Sequence, residues 1–542
     1  MARKKFKDSD SSVLFITAPD REDLMPKGSM GYIVNKFVDG LDLSQLEASY
    51  SDDGSSAYNP RALLKAILLA YCNNVYGCRP IAELIAYDLR YGCFCGYRRP
   101  SFNTINRFRT ERLGLEGIMS VFSQLVSLLN SEGLIDIQDI SIDGTTIESR
   151  ASRKRIVWAK SQRGRAAVNR ERVEGLLEQV GLLQSQDDED TPGPDSGPDG
   201  SPHIAARETE ALRKAVDSLP ESAAKKELAE RLDKADRYRT EDEMCGTRSG
   251  TATTDPDSVA MHPKDDVMRK GPCLPMYNAM AASSNQFLVF CGLYGQPNDT
   301  SAFPDFLHEL HAAYGADLRA ATADAAFGSE VNVLLAEQAG LVPYFKHSMY
   351  DRERQARYTP DPFQPQNFKW NGDGTLTCPG GRTFRETGQT RETCHGIEQT
   401  TTLYRCDSCK WCRLKSQCRK DGKDTPREVK VNKRWWKDTK PRLDDRLDSD
   451  IGQRKLRRRP WEIEPCFAHL KWTGNYRRFR HFGRERCLMD LNIKALAVNL
   501  KKYRNKAKKS LRSHDFHPTR PFLSPIQTIW RHENRNAQNG AA

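Results

Sequence analysis

The chain has 542 residues, 38% hydrophobic and 29% charged, and its 84 Lys and Arg against 72 Asp and Glu give a net charge of +12. That length allows several domains with separate cores, and no apolar run reads as long enough to cross a bilayer. The basic start Met-Ala-Arg-Lys-Lys-Phe-Lys-Asp has no apolar stretch behind it, and the 15 cysteines sit in a large chain, so a secreted disulfide scaffold is not expected and a cytoplasmic, nucleoid-associated location is.

Residues 30–135 read as a helical domain. Within 58–71, Pro60 stands in a first turn, and Leu64, Ile67, Leu68 and Tyr71 recur at helical spacing. A second helix follows Arg79-Pro80, with Ile81, Leu84 and Ile85 on one face. A third follows Ser101, a suitable N-cap, and runs to Arg109. Ile105 and Phe108 turn inward there, which leaves Asn103, Asn106, Arg107 and Arg109 outside. Such side chains read base edges or grip phosphates. Residues 79–112 admit two readings, a helix-turn-helix that enters DNA and a helical bundle with a polar surface.

Residues 136–147 read as the first core strand, ending near Asp143 in Ile-Ser-Ile-Asp-Gly-Thr-Thr-Ile-Glu. Residues 150–250 form a helical-hairpin insertion. Its tip, 184–203, is acidic, rich in Pro, Gly and Ser and free of Lys and Arg, a composition expected to be disordered. Strand pattern returns at 286–293. A helix near 302–314 leads to a strand ending at Asp324, and a helix near 328–339 leads to a strand at 341–345. The fold class is therefore α/β, a mixed sheet flanked by helices. The catalytic domain spans 136–500 and is interrupted again by a Cys-rich insertion at 348–450. Residues 505–542 read as a basic mobile tail.

Asp143 and Asp324 follow apolar runs that read as strands. Glu464 opens an apolar-periodic helix, with Pro465 suited to its first turn. Each acid alone has a structural reading: a turn, an N-cap and a surface charge. Together, two strand-end aspartates and a helical glutamate offer the oxygen ligands that hard divalent cations take. A pair of such ions clamps the attacking and leaving oxygens of a phosphodiester displacement. Glu464 and Lys471 are seven apart and expected on one helix face, the carboxylate to bind metal and the lysine to reach a DNA phosphate. Arg477 and Arg478 follow, and the block at 454–459 adds positive charge of the kind that releases DNA counterions.

Six cysteines lie between Cys378 and Cys418. Cys406, Cys409 and Cys412, followed by Cys418, have the close spacing of thiolate zinc ligands. Cys378, in Thr-Cys-Pro-Gly-Gly, supplies a further thiol. The preferred structural zinc set is Cys378, Cys409, Cys412 and Cys418, with Cys406 and Cys394 in reserve. The other reading is reduced, unliganded thiols.

Taken in order, Thr104-Ile105-Asn106-Arg107-Phe108-Arg109, Asp143-Gly144-Thr145-Thr146-Ile147-Glu148, Thr254-Asp255-Pro256-Asp257, Ala323-Asp324-Ala325-Ala326-Phe327-Gly328 and Glu464-Pro465-Cys466-Phe467 with Lys471 carry a resemblance. The chain resembles bacterial insertion-sequence transposases of the DDE class. The resemblance implies an RNase H-like catalytic domain in which Asp143, Asp324 and Glu464 hold two Mg2+ or Mn2+ ions. It implies cleavage of double-stranded DNA at terminal inverted repeats and joining of the freed 3′ hydroxyl to target DNA by a homo-oligomer. Many relatives have Tyr-x2-Arg-x3-Glu-x6-Lys around the glutamate. Here Glu464 and Lys471 match, Pro460 and Arg457 replace the Arg and Tyr, and the basic role passes to Arg459. The alternatives are a metal-dependent nuclease that cuts without joining, and a catalytically inactive DNA-binding regulator derived from a transposase.

Overall fold

The computed structural model describes all residues except 1–20, 51–56, 183–201, 265, 267, 269–270, 420–424 and 513–542. It divides into two compact units, residues 1–134 with 489–542, and residues 135–488.

The first unit is helical. It contains α1 (Met30–Asp39), α2 (Pro60–Cys72), α3 (Cys78–Tyr87), α4 (Phe102–Arg107) and α5 (Gly114–Ser131), with the part of the last helix, Arg484–Arg512, that begins at Met489. Pro60 opens α2, and the Asn59 side chain accepts the N–H groups of Arg61 and Ala62. Leu64, Ile67, Leu68 and Tyr71 are all buried. Ser101 caps α4 by accepting the Thr104 N–H. Between α3 and α4 lie a short helix, Leu89–Gly92, and a 3-10 turn, Cys93–Cys95. That connection is longer than the tight turn of a helix-turn-helix.

Two expectations for this unit need correction. Residues 102–131 contain an 18-residue stretch with the mean hydropathy, 1.3, of a helix able to cross a membrane. Gly114, at φ +59°, breaks the segment, and Ile118, Val121, Phe122, Leu125 and Leu129 are buried within the fold. Arg109, expected outside, is 2% exposed. The cause is a π-helical stretch, Phe108–Leu113, whose wider turn carries Phe108, Arg109 and Leu113 inside together. Arg109 donates to the Tyr71 hydroxyl (2.6 Å), the Tyr76 carbonyl (3.0 Å) and Cys78 Sγ (3.1 Å), and lies 3.6 Å from buried Asp490.

The second unit is built on a mixed six-stranded sheet of β1 (Asp139–Glu148), β2 (Val259–Met261), β3 (Leu274–Ser284), β4 (Phe287–Tyr294), β5 (Ala320–Ala323) and β6 (Val342–Phe345). The order is β2-β3-β1-β5-β6, with β4 also on β3. β1 is antiparallel to β3 and parallel to β5, and β5 is parallel to β6. Asp143 therefore lies within β1, not at its end. Only the parallel ladder with β5 stops short of it, at Ser141 opposite Thr322.

Between β1 and β2 stand two long helices, α6 (Ala159–Gln179) and α7 (Ala223–Cys245), with a core of their own around Val173, Leu176, Leu177, Leu228 and Leu232. Almost all of 184–203 lies outside the described residues. Two further helices, α8 (Asp299–Tyr314) and α9 (Glu330–Gln338), precede β5 and β6. The Cys-rich region is a five-stranded sheet that includes β7 (Thr383–Cys394), β8 (Ile397–Cys406) and β9 (Glu428–Val431), over a core of Phe368, Leu376, Phe384, Tyr404 and Cys406. The helix carrying Glu464 is α10 (Asp450–Phe467), capped by Ser449. It runs through Pro460 and Pro465, so Glu464 lies near its C-terminal end, not at its start. Residues 505–512 continue the last helix, and the rest of the expected tail lies outside the described residues.

Candidate functional site

β1 and β5 pair in parallel at a constant offset, Asp139 with Ala320 and Ser141 with Thr322. The same offset of 181 carried two residues further sets Asp143 against Asp324. Strand pairing has ended there, so the two carboxylates face each other without a ladder bond between their backbones. Each is oriented locally. Asp143 Oδ1 accepts the Gly144 N–H at 2.8 Å, and Asp324 Oδ1 accepts the Ala326 N–H at 2.9 Å.

Arg459, on α10, spans the pair. Its Nη2 lies 3.0 Å from Asp143 Oδ2 and 3.5 Å from Asp324 Oδ2. The Arg459 and Asp143 side chains are 12% and 17% exposed, and Asp324 is 40% exposed. Burial pushes the Asp143 carboxyl up to about 6; the Arg459 guanidinium pulls against this, and the charges of Asp324 and Asp299 add to it. One turn before Arg459, Lys455 Nζ lies 2.5 Å from Asp139 Oδ2. Beyond the helix, Lys471 is buried and donates to Thr145 Oγ1 at 3.1 Å. Lys455, Arg459 and Lys471 thus meet β1 in ascending order.

Two glycines hold this geometry. A Cβ on Gly144 would fall 2.4 Å from Asp299 Oδ1. Asp299 is a buried acid bound by Lys264 Nζ (2.6 and 2.7 Å) and Asn278 Nδ2 (2.9 Å). A Cβ on Gly328, in the turn after Asp324, would fall 1.9 Å from the Lys346 carbonyl oxygen.

Glu464 is exposed, and its carboxylate has no hydrogen-bond or ion-pair partner among the described residues. Lys471 does not share that environment, because the π-helical stretch Ala468–Thr473 changes the register after Glu464. Among the described residues, the three acids do not bring their oxygens within 4.8 Å of one another; His347, Glu353 and Asp444 do. In that group the Lys440 ammonium already sits 2.8 Å from Glu353 and 2.7 Å from Asp444, with His347 Nε2 3.0 Å from Asp444. Burial raises the Asp444 carboxyl, but the His347 and Lys440 hydrogen bonds outweigh it and hold the group well below the usual range. It is an ion-pair network whose cation is a lysine. Asp143 and Asp324, by contrast, are hard oxygen donors already sharing one positive charge, a donor set that suits a divalent cation.

The other acids near the core are structural. Glu148 holds Arg153 with two bonds of 2.6 Å. Buried Asp255 accepts from Ser149, Tyr277 (2.8 Å) and the Gly483 N–H (3.0 Å).

Asn103, Asn106 and Arg107 are exposed on α4. Arg477 is exposed and stacks on Trp472, 3.8 Å from its ring centre. Arg478 instead ties down the end of β1, donating to the carbonyls of Ser149 (3.0 Å), Arg150 (3.0 Å) and Ala151 (2.9 Å). In the Cys-rich sheet, Cys378 and Cys409 pack on the core that holds Cys406. Burial and the neighbouring Cys409 thiol push Cys406 up to about 12. Cys412 Sγ and Cys378 Sγ lie 3.0 and 3.7 Å from where a Gly380 Cβ would stand. The Arg427 N–H donates to Cys409 Sγ (3.3 Å) and its Nη1 to Cys418 Sγ (2.9 Å). Cys394 ends β7 beside Ile397, at the opposite end of the hairpin from Cys406.

Sequence reasoning assigned Arg459 to DNA and missed its place between the two aspartates. The signal was there in part: Lys455 and Arg459 are four apart, one helical turn, ahead of buried Ile463 and Cys466.

A family model described as "Transposase domain (DUF772)" matches residues 19–111, and one described as "Transposase DDE domain" matches residues 377–504. No curated protein matches the chain. The second match contains Glu464 and Lys471, and with a transposase domain also matched at residues 19–111, the two matches support an insertion-sequence DDE transposase.

Proposed function

We propose that the protein binds the terminal inverted repeats of its element, cuts the DNA there and joins the freed 3′ hydroxyl to a target. Asp143, Asp324 and Glu464 are the metal ligands of this reading. The observation that carries it is the parallel register that sets Asp143 against Asp324 around a shared cation, with Glu464 on the same helix as that cation. Antiparallel β4-β3-β1 followed by parallel β1-β5-β6 also supports an RNase H-like catalytic domain.

Asp143, Asp324 and Glu464 would hold divalent cations (Mg2+ or Mn2+, two in this reading), and the group would supply activation of the attacking oxygen and charge neutralisation at the leaving one. The chain's own residues orient the ligands. The Gly144 N–H fixes Asp143, the Ala326 N–H fixes Asp324, and Lys471 anchors the segment after Glu464 to Thr145. Exposed Asn103, Asn106 and Arg107 in the first unit, and separately Arg477 in the second, are DNA-contacting residues in this proposal. Arg109 and Arg478 are excluded from it, because their guanidinium groups are committed to the protein. A structural zinc on Cys378, Cys409 and Cys412, with Cys406 or Cys418 as fourth ligand, belongs to the same reading. Elemental analysis should find about one zinc per chain.

The test is a strand-transfer assay on DNA carrying the sequences that flank the coding region, in Mg2+ or Mn2+. Joined product is expected. Cutting without joining supports a nuclease, and binding alone a regulator; either would overturn the proposal.

A further inference from the structure

We propose that Arg459 is the resident counter-cation of the acidic pair: it holds Asp143 and Asp324 together when no metal is bound, and a divalent cation must displace it to enter. This rests on the reading of Asp143 and Asp324 as metal ligands.

Two carboxylates brought side by side at the end of a strand ladder repel, and repel more where water is scarce. The one guanidinium nitrogen within reach of both is Arg459 Nη2, at 3.0 and 3.5 Å among the described residues. Arg459 therefore stands where a metal would gain most from the same two charges. Both cannot hold that place.

Arg459 is also poorly anchored by anything else. A guanidinium has five N–H donors, yet the buried Nε of Arg459 has no hydrogen-bond partner among the described residues. Arg478 shows the contrast, with three backbone carbonyls holding its guanidinium. The next residue, Pro460, lies inside the helix and has no N–H to give to the turn before it. The backbone beneath Arg459 is therefore less tightly bonded than an ordinary helix. A side chain held, among the described residues, by the acids alone leaves when a stronger cation takes them.

The experiment measures Mn2+ binding to the full chain without DNA, following free Mn2+ by electron paramagnetic resonance, so no turnover is read. Arg459→Gln should bind Mn2+ on the order of tenfold more tightly than wild type, a coupling in the usual range for competing ligands. Arg459→Lys, which keeps the charge, should stay close to wild type. Arg459→Met fills the same volume without charge and gives the same reading should the Gln variant not fold. Equal or weaker binding by the uncharged variants, while Asp143→Asn and Asp324→Asn abolish binding, would overturn the role of Arg459 and leave the metal site standing. Wild-type binding in Asp143→Asn and Asp324→Asn would remove the metal site itself.

Discussion

Asp143→Asn is expected to abolish strand cleavage and at the same time to stabilise the metal-free protein at pH 8. The two effects have one cause. Burial raises the Asp143 carboxyl from an ordinary 3.8 to about 6, even with Arg459 beside it. The folded state therefore binds this proton more tightly than the unfolded state does. Stability falls as pH rises from about 4 through about 6 and stays lower above that. Asn carries no such penalty. The variant should exceed wild type by about 1–3 kcal/mol at pH 8, since each pKa unit is worth about 1.4 kcal/mol, and should lose the advantage near pH 4. Added Mn2+ should reverse the order, because a ligand stabilises only the protein that binds it. Loss of metal-borne charge stabilisation removes several kcal/mol from catalysis, about a thousand-fold or more in rate. Thermal melts at pH 4 and 8, with and without Mn2+, check the stability arm. A variant no more stable than wild type at pH 8 would contradict the electrostatic account of Asp143.

Gly328→Ala is the other large effect. Its Cβ would lie 1.9 Å from the Lys346 oxygen, 2.5 Å from the Lys346 carbonyl carbon and 2.8 Å from the His347 Cα. All three are backbone atoms, so no side chain can rotate away. The turn after Asp324 and the chain leaving β6 would have to move apart. The expected cost is about 3 kcal/mol or more, at the upper end for overpacking, and Asp324 moves with its turn. Gly372→Ala is the control: among the described residues nothing lies within 4 Å of its added Cβ, and the change should be close to neutral. Urea unfolding of the two variants checks the contrast, and equal midpoints would show that the turn is looser than its geometry states.

The strand bearing Asp143 and the strand that ends just before Asp324 were legible because apolar residues such as Ile140 and Ile142, and Ala321 and Ala323, precede the two acids in sequence. β3 was not. Leu-Pro-Met-Tyr-Asn-Ala-Met-Ala-Ala-Ser-Ser contains a proline and no β-branched residue. It is a strand because it lies between β1 and β4, with all but Leu274 buried, so tertiary burial overrides propensity. Pro465 misled in the opposite direction. A proline at a helix start is common, but the N-cap here is Ser449, and α10 accommodates both prolines in its interior. Arg109 was misread because a π-helical register leaves no plain mark in spacing, and its acidic partner Asp490 comes from the far end of the chain. The pairing of Asp143 with Asp324 was expected from the order of motifs alone. The shared Arg459 was not, since a helix crossing two strands cannot be placed from one-dimensional periodicity.

The most direct test is to map the cation itself. Fe2+ substituted for Mg2+, with ascorbate and peroxide, cuts a polypeptide next to the bound ion. Fragments ending near residues 143, 324 and 464 are expected, all three lost together in Asp143→Asn. Cuts confined to the neighbourhood of His347, Glu353 and Asp444, or cuts near 143 and 324 with none near 464, would contradict a site shared by the three acids.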